Sequence, residues 1–209
     1  MAQDAPGEIG TTRLVWDAAS SPADGEDVSG DAYVVRSAAD GYVLAVADGL
    51  GHGPEATLAA NAAIAAATHP GEDSPSVLLR RSHEACSYTR GVVMTVVHVD
   101  TRRNEVCWAG VGNVEAVLVR NRLSGQSRRE TAMLPGGVVG VALPPLKEQT
   151  YEIEPGDVLA LATDGIRGEF VSELMTLAAP SSMTARIIDR HRLKADDALV
   201  LIARCEAVR

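Results

Sequence analysis

Five carboxylates stand out because each occupies the same kind of place in the chain. Asp31 follows Ser29-Gly30 and leads into a β-branched run. Asp48-Gly49 closes an apolar run and opens the loop Leu50-Gly51-His52-Gly53. Asp164-Gly165 closes another, Leu161-Ala162-Thr163, and Asp196-Asp197 opens the last. A carboxylate at a strand end is fixed by a rigid element, and several such ends can meet at one rim. Converging carboxylates repel and raise each other's pKa unless divalent cations neutralise them. Oxygen donors without a thiolate or multi-histidine set select Mg²⁺ or Mn²⁺. Two such ions about 3.5–4 Å apart can share a bridging hydroxide and clamp a phosphate for in-line attack. Taken singly, an Asp-Gly is more often a turn former than a ligand, and Asp196-Asp197 more often a solvated strand entry or helix-end pair. Recurrence is what argues for a site.

The elements that must position these acids follow from the apolar pattern. Thr12–Asp17, Ala32–Ser37 and Tyr42–Ala47 read as strands, the last two joined through Asp40-Gly41 as a hairpin. Pro54–Thr68 is Ala-rich, begins with Pro and is followed by Pro70-Gly71, which predicts a helix. A second helix is expected over Ser74–Thr89. Strands are expected at Val92–Val99, Glu105–Val111, Val114–Arg120, Glu148–Glu152 and Val158–Thr163, with turns at Asp100–Asn104, Asn121–Gly125 and Pro155-Gly156-Asp157. Helices at Glu169–Ala178 and Ser182–Arg190 and a last strand at Ala198–Arg204 complete the pattern. Strands arrive in short-loop pairs, so the sheets should be mainly antiparallel, in two layers covered by helices.

Taken together and in order, these motifs resemble those of the metal-dependent (PPM, 2C-type) serine/threonine phosphatases, in their bacterial SpoIIE-like branch. The resemblance rests on Ser29-Gly30-Asp31-Ala32-Tyr33, Ala45-Val46-Ala47-Asp48-Gly49-Leu50-Gly51-His52-Gly53, Trp108-Ala109-Gly110-Val111-Gly112-Asn113-Val114, the stretch from Pro155-Gly156-Asp157 to Thr163-Asp164-Gly165, and Asp196-Asp197. It spans about Asp27 to Arg204. It implies an α+β fold, an αββα sandwich forming one phosphatase domain over residues 1–209, with two Mn²⁺ or Mg²⁺ ions. Asp48 matches the ligand bridging both ions, and Gly49 the residue offering its carbonyl. Asp164 and Asp196 match ligands of the other ion, with Asp197 as the alternative to Asp196. Asp31 matches the acid of the first motif, binding directly or through water. Asp31, Asp48, Asp164 and Asp196 are thus the implied catalytic set, acting through a metal-activated water. The implied substrates are phosphorylated STAS-domain scaffold and antagonist proteins of a stressosome, whose dephosphorylation resets a stress response. Three departures stand beside this. Gly30 replaces a further acid, Ala198-Leu199 lacks a familiar threonine, and neither a phosphate-binding arginine nor an acid-donating histidine has a match. A depleted, phosphatase-like binding module is therefore the competing reading. His52 is either a substrate contact or part of an exposed loop.

Composition narrows the remaining classes. The 209 residues are 46% hydrophobic, enough for a sizeable core, and only 3% aromatic, so that core is built of Ala, Val, Leu and Ile. The net charge of −9 argues against nucleic acid or an anionic membrane as partner. Met1–Gly10 lacks a signal-peptide pattern, and the longest apolar run, Leu58–Ala67, is too short for a membrane span. A cytoplasmic monomer is expected. Three cysteines, Cys86, Cys107 and Cys205, make a poor disulfide framework. None is followed six residues later by the arginine that a cysteine phosphatase needs. The loop Gly49–Pro54 superficially suggests a dinucleotide fingerprint, but Pro54 takes the third glycine's place and no βαβ unit follows. The five histidines show no paired zinc-ligand spacing.

Overall fold

A computed structural model describes residues 12–69, 71–120, 128–176 and 178–208. Ten strands form two five-stranded sheets in which every pairing is antiparallel. One sheet has the order β1-β10-β9-β6-β7, from strands Thr12–Ser21, Ala198–Ala207, Val158–Ala162, Glu115–Arg120 and Arg128–Thr131. The other has the order β2-β3-β4-β5-β8, from Asp31–Ala38, Gly41–Gly49, Val92–Asp100, Glu105–Val111 and Gln149–Glu152. Helices α1 (Pro54–Thr68) and α2 (Pro75–Ala85) follow β3. A 3₁₀ turn (Gly168–Phe170), α3 (Val171–Leu174) and α4 (Pro180–His191) lie between β9 and β10.

Three apolar layers explain the stacking. Alternate residues of β3 point to opposite faces. Leu44 and Val46 join Val97, Trp108, Leu118, Leu161 and Leu201 between the sheets. Val43, Ala45 and Ala47 instead meet α1 and α2 through Ala59, Ala60, Ala63, Leu78 and Leu79. The other sheet turns Val117, Ala160, Val200 and Ile202 towards Phe170, Leu174, Met183 and Ile187. The expected αββα sandwich is therefore the observed one. Alanine at the buried positions 56, 59, 60, 63 and 67 recurs every three or four residues, so α1 presents one shallow face to the sheet.

Several boundaries differ from expectation. Arg128–Thr131 forms β7 against β6, although Arg-Arg-Glu-Thr carries no apolar alternation. Its pairing partner, not its own composition, makes it a strand. The second helix starts at Pro75 and stops at Ala85, four residues before Thr89. The stretch expected as a helix over Glu169–Ala178 is a 3₁₀ turn and a single α-turn ending at Leu174. Thr163 lies just beyond β9, where its side chain serves the site rather than the core. The turn expected at Asn121–Gly125 lies outside the described residues.

Candidate active site

The acids gather at the open end of the β2–β3 hairpin, where β2 begins and β3 ends. Asp31 and Asp48 are direct register partners there. Like charges directly opposite on adjacent strands destabilise a pair, so this juxtaposition calls for a proton or a cation. Asp31 is 8% exposed. Its Oδ2 accepts a 2.8 Å hydrogen bond from the Thr163 hydroxyl, whereas its Oδ1 is buried with no partner. Burial raises the Asp31 pKa to about 7 against the Thr163 hydrogen bond, with further push from Asp197, Asp164 and Asp196. Asp48 rises to about 8, first through burial and then through Asp31, Asp164, Asp196 and Asp197. Asp196 is raised by burial and by Asp164, while its neighbour's amide and the charge of His52 act in the opposite direction. The five acids therefore feel one another although they come from two sheets.

Glycines let the backbone close this rim. A Cβ on Gly49 would collide with the Ala56 carbonyl in the first turn of α1, and one on Gly165 with the Asp197 carbonyl. Each Asp-Gly is thus a close approach of two backbones, beyond a simple turn. Gly49 also donates its amide to the Gly30 carbonyl at 3.0 Å. At Gly30 a Cβ would stand 2.9 Å from both Ala56 Cβ and Asp197 Oδ2. A side chain here would have to displace the Ala56 side chain or the Asp197 carboxylate that accepts the Gly30 amide.

The final acid pair divides its labour. Asp197 is 3% exposed, and both its oxygens accept backbone amides, Oδ1 from Ala23 at 3.0 Å and Oδ2 from Gly30 at 2.8 Å. Among the described residues Asp196 accepts only the Asp197 amide, at 2.9 Å on Oδ1, and it is half-buried. Asp164 is exposed beyond β9, where Asn113 donates to its Oδ2 at 2.7 Å. His52 is 70% exposed on its side chain, and its Nδ1 meets Glu26 Oε1 at 2.6 Å. Sequence reasoning assigned no role to Thr163 or Asn113. The signal for Asn113 was its place in Gly112-Asn113-Val114, where Gly112 adopts φ 94° and turns the asparagine outward between β5 and β6.

The donor set fits hard divalent cations. It offers carboxylate oxygens, among them a buried Asp31 oxygen without a partner. Among the described residues no three His, Cys, Asp or Glu side chains stand gathered as a finished cage. Mg²⁺ in particular keeps several waters and takes one or two carboxylates, so a finished cage is not what it requires.

An αββα sandwich with acids converging from both sheets defines the PPM, or PP2C-type, class of protein serine/threonine phosphatases. A model of the stage II sporulation protein E family, SpoIIE, matches residues 38–206, and the chain belongs to that family. Among solved structures it is similar to a chain of the bacterial stressosome, a modular system adapted to control secondary messenger signaling. The identity is 27%, the coverage 92% of this chain and 100% of that one, and the TM-score 0.82. RsbX in complex with magnesium is 18% identical, with 95% and 98% coverage and a TM-score of 0.81. The catalytic domain of the serine/threonine protein phosphatase PstP with two manganese ions is 17% identical, with 94% and 100% coverage and a TM-score of 0.73. No curated protein matches the chain in sequence. Among the described residues no helix is long and apolar enough to cross a membrane.

Proposed function

We propose that this chain is a single phosphatase domain that hydrolyses phosphoserine and phosphothreonine on proteins, using Asp31, Asp48, the Gly49 carbonyl, Asp164 and Asp196 to hold two Mn²⁺ or Mg²⁺ ions. The observation that carries this reading is the opposed pair Asp31 and Asp48, whose carboxyls are raised to about 7 and about 8 within a cluster of five acids. When bound, the ions would cancel that charge and acidify a water for attack on phosphorus. Thr163 orients Asp31, Asn113 orients Asp164, and Asp197 fastens the loop that carries Gly30. Because Asp197 spends both oxygens on amides, Asp196 is the member of the pair with ligand capacity to spare. The phosphorus–oxygen bond to the side chain breaks, leaving inorganic phosphate and a free hydroxyl. PstP with manganese and RsbX with magnesium support the choice of ions. Likeness to a stressosome chain supports STAS-domain phosphoproteins as substrates, in a cytoplasmic monomer that resets a stress signal.

A catalytically weak binding module is the second reading, favoured by the glycine at position 30, where an acid would have to displace Ala56 or Asp197. Hydrolysis of p-nitrophenyl phosphate with Mn²⁺, with EDTA and by Asp164→Asn separates the two. The phosphatase reading expects turnover only with metal and a loss of about 100-fold or more in the variant. Metal-independent turnover, or an unaffected variant, would sink it.

A further inference from the structure

Beside the carboxylates the surface changes character. Leu50 follows Asp48-Gly49, and its amide donates to the Gly91 carbonyl at 3.1 Å, tying the site loop to the segment that enters β4. Arg90 reinforces the tie: its Nη1 donates to the Leu50 carbonyl at 3.2 Å, and it pairs with Glu55 in the first turn of α1. A Cβ on Gly51 would lie 2.7 Å from the same Nη1, so the guanidinium rests over the loop. Around it, large apolar side chains face solvent. Tyr88 is 99% exposed, Leu58 and Val141 are each 64% exposed, and Leu50 is exposed too. Glu55, Leu58, Tyr88, Thr89 and Arg90 line one hollow of about 260 Å³. Val141 lies against Gly91, the residue that follows Arg90.

A tyrosine left wholly in solvent contributes nothing to the core, and contiguous exposed apolar groups mark interaction surfaces. Tyrosine and arginine together are the residues most often dominant in binding. The Arg90–Glu55 pair is itself exposed, 41% and 74% on the two side chains, so an incoming anion displaces it at little cost. In a chain of net charge −9, a cation set beside a carboxylate rim suits a partner that is anionic at the point of reaction. We propose that Leu50, Leu58, Tyr88 and Val141, with Arg90 at their centre, form the surface on which a folded phosphoprotein substrate docks, Arg90 facing the anionic segment that carries the phosphorylated residue. The surface is continuous with the Asp48-Gly49 loop, so a protein seated there has its phosphate within reach of the carboxylates. This rests on the phosphatase reading and adds where its specificity for a protein over a small ester arises.

The test compares the full chain with Tyr88→Ala and Leu58→Ala, whose exposure leaves folding intact. Probes are p-nitrophenyl phosphate and a STAS-domain protein phosphorylated on serine, both with Mn²⁺. Docking predicts that each variant loses about tenfold in kcat/KM on the phosphoprotein, carried by KM, with p-nitrophenyl phosphate turnover unchanged. Binding of the same phosphoprotein in EDTA, read by biolayer interferometry, weakens by the same factor and needs no turnover. Equal losses on both substrates, or variants matching wild type in turnover and binding, overturn the proposal. So does a wild-type chain that binds the phosphoprotein no more tightly than it binds free phosphoserine. Self-association that Tyr88→Ala abolishes would assign the surface to a second copy and overturn it as well. A wild-type chain inert on both substrates with Mn²⁺ refutes the phosphatase reading instead, and the EDTA measurement keeps the two failures apart.

Discussion

Replacing Asp48 by Asn tests whether the rim is held in mutual repulsion. Asp48 faces Asp31 across the β2–β3 pair, and its carboxyl moves from 3.8 to about 8, first by burial and then by the neighbouring acids. A carboxyl that binds its proton more tightly folded than unfolded contributes most below its unfolded value. The Asp48 contribution to metal-free stability is therefore fullest below about pH 4 and declines as the pH climbs towards 8. At pH 7 about three pH units of that interval have been crossed. At about 1.36 kcal/mol for each, the ceiling is about 4 kcal/mol. The open rim screens part of this, and Asp31 titrates with Asp48, so about 2 kcal/mol is the expected size. In EDTA at pH 7, Asp48→Asn should exceed wild type by that amount in urea unfolding, and the gap should close near pH 4. Mn²⁺ should stabilise wild type and leave the variant unmoved. A variant less stable than wild type in EDTA at pH 7, or a gap that does not change with pH, refutes the reasoning.

The supporting side chains give two further expectations. Asn113→Ala frees Asp164 Oδ2 from its 2.7 Å donor and should weaken Mn²⁺ binding about 10- to 100-fold in isothermal titration, with the metal-free melting temperature unchanged. Asp197→Ala strips the Ala23 and Gly30 amides of their acceptor and should cost about 1–3 kcal/mol in thermal unfolding. Asp196→Ala, which frees one amide at the surface side of the pair, should cost less; the reverse order would exchange the roles given to the two acids.

The fold was legible where local patterns dominate. Proline before the Ala-rich run marked the start of α1, and Asp40-Gly41 marked the β2–β3 turn, because each signal acts over a few residues. Arg128–Thr131 was not legible, since its four polar and charged residues become a strand only through β6. The helix expected to reach Ala178 stops at Leu174, although nothing in its composition forbids another turn. In the site, strand-terminal Asp-Gly pairs exposed the acids, while the supports stayed hidden. Thr163 and Asp31 are 132 residues apart, and Asn113 and Asp164 are 51 apart. The resemblance already set Asp196 before Asp197 as the ligand, but the physical reason lay beyond sequence, because it depends on which side chain turns towards the Ala23–Gly30 loop.

Strand order carries a consequence for how the molecule is made. Among the described residues β1 pairs only with β10, and β10 fills the gap between β1 and β9. Until β10 is made, β1 has no partner in its sheet, and the β2–β3 hairpin with Asp31 and Asp48 faces a sheet that lacks the strand joining β1 to β9. Asp196 and Asp197 arrive with the strand that completes that sheet, and Asp197 then locks the Ala23–Gly30 loop from far downstream. A fragment cut before β10 therefore lacks Asp196, Asp197 and the strand that joins β1 to β9, and its Ala23–Gly30 loop is left without its anchor.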